Sequence, residues 1–237
     1  MKTPGVYIVE KSAFPNSVVE APTAIPAFIG ITEKAVNGAD SLSGKPWKIT
    51  SMTEFQQYFG GAPAPEFRLS VVDYPEKDAS KTFYGIPSPD KSKLLRVEAP
   101  EVTFSLYYQM VMFFANGGGT CYIVSAGTYD QKSLIDKEKV VAALTALKKE
   151  QEITMVLVPE AVSVDECKDI QTQVLAHCGE MMNRFAILDV QPKAKENEVM
   201  SEQIEIFRTN VGANFLSYGA AYYPWLNTSD RKSTRLN

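Results

Sequence analysis

The sequence predicts an α/β fold in which a largely parallel sheet carries helices on both faces. Short apolar runs alternate with helical patterns through most of the chain, which is the order that parallel α/β sheets require. The apolar runs are continuous, as is typical of strands buried on both sides. With 237 residues, 45% of them hydrophobic, the chain is long enough to bury a core without a metal or disulfide.

Residues 1–26 are predicted to form an extended N-terminal arm. Four prolines and one glycine interrupt this stretch and exclude a helix. They are Pro4, Gly5, Pro15, Pro22 and Pro26. Residues 6–9 form a short β-prone run within it. We expect the arm either to lie on the domain or to add a strand to a neighbour's sheet.

An α/β domain is predicted over residues 27–229, with strands and helices that alternate along the chain. The predicted strands lie at 27–32, 47–49, 121–124, 154–158, 184–188 and 218–222, and the predicted helices at 53–59, 104–116, 136–149, 164–178 and 199–211. Thr50 or Ser51 is expected to cap the first helix, and Ser163 with Glu166 to form a capping box before the fourth. The helix at 104–116 is apolar nearly all round and is expected to be buried.

Residues 62–100 differ from the rest of the domain. They hold six of the chain's 14 prolines together with many charges, and two strand-like runs at 67–72 and 94–97. A connection this long inside a domain is usually functional or disordered. We interpret it as a β-hairpin-like insertion that projects from the domain.

Composition and charge exclude several classes of function. The net charge is −4 and no basic run occurs, so the chain lacks the clustered Lys and Arg that bind nucleic acid. The most apolar stretch, 104–115, is well short of the roughly 20 residues that a membrane span needs. Three cysteines without a CxxC pattern favour reduced thiols in a cytoplasmic product.

Candidate catalytic motifs are weak. The glycines at 117–119 follow a helix and precede a strand, whereas phosphate-binding loops follow a strand and open a helix, so a tight turn is the favoured interpretation. His177 is the only histidine and no GxSxG elbow occurs, so we expect a structural histidine and no hydrolase triad. Three scattered cysteines and one histidine do not supply a zinc site.

Two carboxylates at predicted strand ends, Glu160 and Asp189, lie where α/β sheets bind ligands. Loop polarity explains both equally well, and it is the favoured interpretation. The sequence therefore predicts no catalytic, cofactor-binding or metal-binding residue.

The last eight residues, 230–237, read DRKSTRLN and continue no hydrophobic pattern. One choice of codons for them gives the start of a common sequencing-library adapter. Our hypothesis is that this segment is a non-native tail and that the natural sequence is cut after about Ser229. A natural polar tail is the alternative.

Several stretches, in this order, resemble the contractile tail sheath family. They are PGVYIVE at 4–10, TAIPAFIG at 23–30, ITSMTEF at 49–55, YFGG at 58–61, FFANGGGTCYIV at 113–124 and YYPWL at 222–226. The run at 113–124 is the most specific of them. The family includes sheaths of contractile phages, tailocins and phage-derived injection systems. The insertion at 62–100 departs from its simplest members.

The resemblance implies a structural subunit with no enzymatic activity and no cofactor. Such subunits polymerise around an inner tube, exchange extended arms, and contract to drive the tube through a target envelope. The implied partners are neighbouring sheath subunits, the inner tube protein, the baseplate and the tail terminator, with no nucleic acid and no membrane. The implied location is the bacterial cytoplasm during assembly. A C-terminal sheath domain would be missing from this chain.

The resemblance also implies which residues contact other subunits. The inter-subunit arm would comprise Pro4, Gly5, Val6, Tyr7, Ile8, Val9 and Glu10. A possible interface would comprise Tyr222, Tyr223 and Trp225. Two alternatives stay open. One is a doubly wound α/β enzyme, either a hydrolase or a nucleotide-binding protein, and the other is the large sheath subunit of a type VI secretion system.

Overall fold

The computed structural model describes residues 23–64, 68–73, 84–89, 92–98, 104–129, 134–191 and 200–224. The strands in these ranges are β1 Pro26–Thr32, β2 Val36–Asn37, β3 Asp40–Ser41, β4 Trp47–Ile49, β5 Arg68–Asp73, β6 Tyr84–Pro87, β7 Lys93–Glu98, β8 Cys121–Thr128, β9 Met155–Leu157, β10 Phe185–Asp189 and β11 Gly219–Tyr222. The helices are α1 Met52–Phe59, α2 Leu106–Ala115, α3 Lys137–Leu147, α4 Cys167–Met181 and α5 Met200–Val211, with 3-10 turns at Pro159–Ser163 and Leu216–Tyr218. The predicted arm lies almost entirely outside the described residues.

The main sheet has six strands in the order β11-β10-β9-β1-β8-β4. Every neighbouring pair is parallel except β4 with β8. The five parallel strands follow one another along the chain as β1, β8, β9, β10 and β11. If they are numbered 1 to 5 in that order, their order across the sheet is 2-1-3-4-5, which is common in doubly wound α/β sheets. The prediction of an α/β fold with a largely parallel sheet is confirmed.

Alternate residues of the central strands enter two separate cores, because successive side chains of a strand point to opposite faces. Ile29 of β1 and Val124 of β8 pack with side chains of α3 and α4 in the first core. Phe28 and Ile123 pack with side chains of α1 and α2 in the second core. The two cores therefore share β1 and β8 as a common wall.

Local signals explain several of the helix ends. Ser51 caps α1 by accepting a hydrogen bond from the Glu54 backbone N–H at 3.3 Å, and Gly60 ends the helix with a positive φ of 90°. Asp136 caps α3 in the same way, accepting from the Lys139 N–H at 2.8 Å. The sequence predicted the α1 cap and the apolar face of α3, and both are confirmed.

Two local predictions are wrong. Helix α2 is not buried all round: only Leu106 and Met110 are buried, because the helix lies on one face of the sheet with its other side at the surface. The capping box also fails, because Ser163 ends the 3-10 turn and α4 begins later, at Cys167. The Glu166 side chain instead accepts a hydrogen bond from the backbone N–H of Lys137, at the start of α3.

The insertion at 62–100 holds a three-stranded antiparallel sheet in the order β5-β7-β6. Strands β5 and β7 occupy the two predicted strand-like runs to within about two residues. Strand β6 was not predicted, because its four residues include one glycine and one proline, which are uncommon in strands. The element is thus a three-stranded sheet instead of a hairpin.

Candidate interaction surface and strand-end carboxylates

The carboxyl ends of β1 and β9 form the place where a sheet of this order would bind a ligand. Connections leave these two neighbouring strands in opposite directions along the sheet, which opens a crevice in many α/β proteins. Helix α2 also begins here, and a helix N-terminus attracts anions. What fills this crevice decides whether a ligand could enter.

Glu160 fills the crevice from inside the protein. Its side chain follows β9 and is 2% exposed. Its Oε2 accepts a hydrogen bond from the Ile31 N–H at 2.8 Å, and its Oε1 accepts from the N–H groups of Ser105 and Leu106 at 3.0 and 3.2 Å. Burial raises the pKa of Glu160 to about 7, although the three backbone donors oppose this shift. The interpretation of Glu160 as a polar loop residue is wrong, because this carboxylate joins β1, α2 and the 3-10 turn.

Gly30 lies beside Glu160 and Leu106, and the space between them cannot hold a side chain at position 30. A Cβ atom at Gly30 would be 2.9 Å from Leu106 Cδ2 and 3.1 Å from Glu160 Oε2. The start of α2 is therefore in close contact with β1. An external phosphate or carboxylate would have to displace Glu160 to reach these backbone donors.

Asp189, the second strand-end carboxylate, ends β10 beside a small cavity. The cavity has a volume of about 60 Å³, and Leu157 and Ile187 are among the residues that line it. Ligand pockets are usually several hundred Å³, so this one suits only a few water molecules. Burial raises the pKa of Asp189, and the Gln171 side chain donates a hydrogen bond to its backbone carbonyl at 2.7 Å.

His177 is a buried structural residue that contacts an arginine and no nucleophile among its described neighbours. Arg184 Nη1 lies 3.3 Å from His177 Nε2, so this nitrogen accepts and the ring proton sits on Nδ1. Burial and the adjacent guanidinium lower the pKa of His177 to about 4. Arg184 also donates to the carbonyls of Leu147 and Glu150, at and just beyond the end of α3, where a cation is favourable.

The thiols of Cys121, Cys167 and Cys178 are all free and buried, and burial raises the pKa of each to about 12. A thiol in this state is a poor nucleophile and a poor metal ligand. Within the ranges that the structure describes, no group of three His, Cys, Asp or Glu side chains could hold a metal ion. No helix in those ranges is long and apolar enough to cross a membrane.

One face of the sheet remains partly open, and we call it the open face. Ala186 and Leu188 of β10 enter the first core, so Phe185 and Ile187 point the other way. The second core, on that side, contains no described residue of β10 or β11. Leu157 of β9 still packs against the second core. The open face is therefore apolar and half-buried, and its residues are Met155, Phe185 and Ile187.

Tyr222, which the sequence singled out as a possible interface residue, lies at the end of the open face. It pairs with Asp189 in the parallel register of β10 and β11 and is 62% exposed. Tyr223 is half-buried instead, and its hydroxyl lies 2.6 Å from Gln203 Oε1 of α5. Trp225 and the arm residues 4–10 lie outside the described residues. Of the possible interface residues that are described, only Tyr222 is free to meet a partner.

Comparison with known proteins does not assign this chain to a family. No protein-family model matches the chain, and no curated protein matches it either. The class of protein is therefore defined by its fold alone: an α/β protein with a mostly parallel six-stranded sheet.

Sequence reasoning missed the open face and the inward position of Glu160. The open face depends on the strand order, which no local pattern encodes. Glu160 carried one usable signal, since it follows an apolar strand and a proline and is flanked by apolar Ala161 and Val162. A carboxylate within such an apolar run is often buried against backbone donors.

Proposed function

We propose that this chain is the N-terminal portion of a contractile tail sheath subunit, a structural protein that polymerises around an inner tube. Contraction of the polymer would drive the tube through a target envelope. The observation that carries the proposal is the half-buried apolar open face, which ends at the exposed Tyr222. A protein that works only within an assembly is expected to leave such a face for another protein segment.

The stretches that resemble sheath proteins also come together in space. Phe28, from the stretch at 23–30, meets Phe113, from the stretch at 113–124, with ring centroids 5.3 Å apart. Phe55 and Phe59, from the stretches at 49–55 and 58–61, are buried in the same second core. A shared role in packing is what a structural family would retain in these stretches, and it supports the resemblance.

The strand ends support a structural role over the enzyme alternative. The position at the start of α2 that would attract a phosphate is filled by Glu160. The cavity beside Asp189 is too small for a nucleotide. Under this proposal the energy for contraction is stored in subunit packing, and the subunit needs no cofactor.

The proposed partners are neighbouring sheath subunits through the arm residues 4–10, the inner tube protein, the baseplate and the tail terminator. Assembly would take place in the bacterial cytoplasm. Extended arms suit this role because main-chain hydrogen bonds to a neighbour's sheet give affinity, while alternating side chains fix the register.

Deletion of residues 1–10 tests the proposal. In the natural reading frame, expressed together with its tube gene, the deletion should abolish sheath tubes while circular dichroism still reports a folded α/β domain. The undeleted frame should form tubes in electron micrographs. Normal tubes from the deletion variant would overturn the role of the arm, and the absence of tubes from the undeleted frame would overturn the proposed function.

A further inference from the structure

The three-stranded sheet of the insertion has one exposed apolar face, which we call the insertion face. The register places Val71 of β5, Leu95 of β7 and Ile86 of β6 side by side. Leu69 lies two residues from Val71 and therefore on the same face. Leu69, Val71 and Ile86 are 65%, 63% and 67% exposed.

An antiparallel sheet on a protein surface usually has its apolar face packed and its polar face in water, whereas here large apolar side chains lie on the more exposed face. Here the opposite face is the more covered one, and Ser70, Val72 and Arg96 on it are all half-buried. The three exposed aliphatic side chains lie on the edge strands β5 and β6, and together with the half-buried Leu95 of the central strand β7 they form a continuous patch. Such a patch marks a surface that another protein covers.

One end of the insertion face carries a pair of opposite charges. Asp73 and Lys93 are register partners, both are exposed, and both lie on the same side as Val71 and Leu95. Among the residues whose side chains the structure describes, the face thus has one acidic and one basic group next to each other and is otherwise apolar. A surface of this kind is complementary to itself, because a second copy turned by a two-fold rotation offers each charge its opposite.

We propose that the insertion face binds the insertion face of a second copy of this chain. A two-fold axis that runs parallel to the strands, between β5 and β7, lays the β5 of one copy over the β7 of the other. Val71 then meets the Leu95 position of the second copy. Asp73 meets its Lys93, and the same contact forms a second time by symmetry. The two sheets stack face to face about 10 Å apart.

The size of the face sets the strength of this contact. In this arrangement β5 and β7 of the two copies overlap, and two strands about 4.8 Å apart and six residues long give a face of roughly 10 by 20 Å. Two such faces bury roughly 400 Å² in total, about a third of what the smaller stable interfaces bury. The contact is therefore weak in dilute solution and becomes populated where copies are concentrated or held side by side.

The inference goes beyond the proposed function, which requires contacts between copies but does not say that the insertion provides one. It also stands if the chain belongs to another kind of assembly. The experiment below uses the isolated chain and scores pairs of copies, so its failure is separable from a failure to form sheath tubes.

Cross-linking of the Val71→Cys chain tests the contact. At about 1 mM chain, where contacts of this strength are populated, a short bismaleimide should convert the variant to a covalent dimer. The unmodified chain should give none, because its three thiols are buried. Ile206→Cys on α5 is the matched control, since Ile206 is an apolar residue that is 50% exposed. We expect at least a tenfold higher dimer yield from Val71→Cys. Equal yields, or no dimer from Val71→Cys, would show that copies do not meet through this face and would overturn the proposal.

Charge reversal then tests the two-fold arrangement. In Asp73→Lys both groups at the edge are positive, and in Lys93→Asp both are negative, so each variant repels a copy of itself. A mixture of the two variants restores both intermolecular pairs, although the pair within each chain stays mismatched. With Val71→Cys added to both, we expect each variant alone to lose roughly tenfold in dimer yield and the mixture to recover it. A mixture that cross-links no better than the separate variants would overturn the arrangement.

Discussion

At the scale of single residues, two buried ionisable groups respond to pH in opposite ways. Glu160 and His177 are both at most 4% exposed. Burial raises the pKa of Glu160 to about 7 from its ordinary value of 4.5, and lowers the pKa of His177 to about 4 from its ordinary value of 6.5. In each case the low-polarity interior disfavours the charged form. Both groups therefore oppose folding at the pH where they are charged, which is high pH for Glu160 and low pH for His177.

Glu160 should make the folded state less stable as the pH rises. Its folded pKa lies above its unfolded pKa, so its contribution is fully present below about pH 4.5 and is lost as the pH passes about 7. The free energy of unfolding should fall by about 3 kcal/mol from this group across that window. The measurement is urea unfolding of the chain and of Glu160→Gln at several pH values. The stability of the chain relative to the variant should decrease with pH, and an increase would mean that the three backbone donors outweigh burial.

His177→Gln serves as the matched control for that experiment. The folded pKa of His177 lies below its unfolded pKa, so its contribution is present above about pH 6.5 and is lost as the pH falls towards 4. The stability of the chain relative to this variant should therefore change with pH in the opposite direction. Slopes of the same sign for the two variants would rule out burial as the common cause.

At the scale of elements, the approach of α2 to β1 decides how the carboxyl edge of the sheet is closed. Gly30 has no side chain, so Leu106 and Glu160 can come into direct contact with the strand. The sequence shows a glycine inside a strand pattern, which signals that another part of the chain comes close. Which element comes close follows only from the tertiary structure.

Gly30→Ala should destabilise the protein by about 1–3 kcal/mol, the usual cost of adding a carbon to a packed core. The added Cβ would meet Leu106 Cδ2 at 2.9 Å and Leu106 Cβ at 3.0 Å, so strand and helix must move apart. Gly119→Ala is the control, because a Cβ there meets nothing within 4 Å. Urea unfolding should show a lower midpoint for Gly30→Ala only. Equal midpoints for the two variants would mean that α2 moves away freely.

At the scale of the whole molecule, the two cores share β1 and β8 and should unfold together. Cys121 lies in the second core, and Cys167 and Cys178 lie in the first. All three thiols are buried in the native state. They are therefore natural probes of both sides of the sheet.

We expect the three cysteines to react with a thiol reagent in one transition. Neither core can open without loosening the strands that both of them use, so labelling of Cys121 should follow the same urea dependence as labelling of Cys167 and Cys178. Mass spectrometry of peptides after pulsed labelling measures each site separately. Labelling of Cys121 at clearly lower urea would show that the α1 and α2 side opens independently.

Elements whose signals are local could be predicted from the amino-acid sequence alone. The apolar stripe of α3, the Ser51 cap of α1, the glycine stop after it and the apolar parallel strands all follow from neighbouring residues. These patterns were enough for the α/β class and for strands β5 and β7 of the insertion. The sequence was also enough to judge the catalytic motifs, because each motif is defined by the order and spacing of its residues along the chain.

Features that depend on distant parts of the chain became evident only from the folded structure. The strand order leaves the open face beside β10, and the pairing of β5, β7 and β6 puts Leu69, Val71 and Ile86 together on one exposed face. Glu160 reaches donors 129 and 54 residues away, at Ile31 and Leu106, so its burial could not be deduced from its neighbours. The physical reason is the same in each case. Local sequence fixes which way a side chain points from its own element, whereas burial depends on what the rest of the chain brings against it.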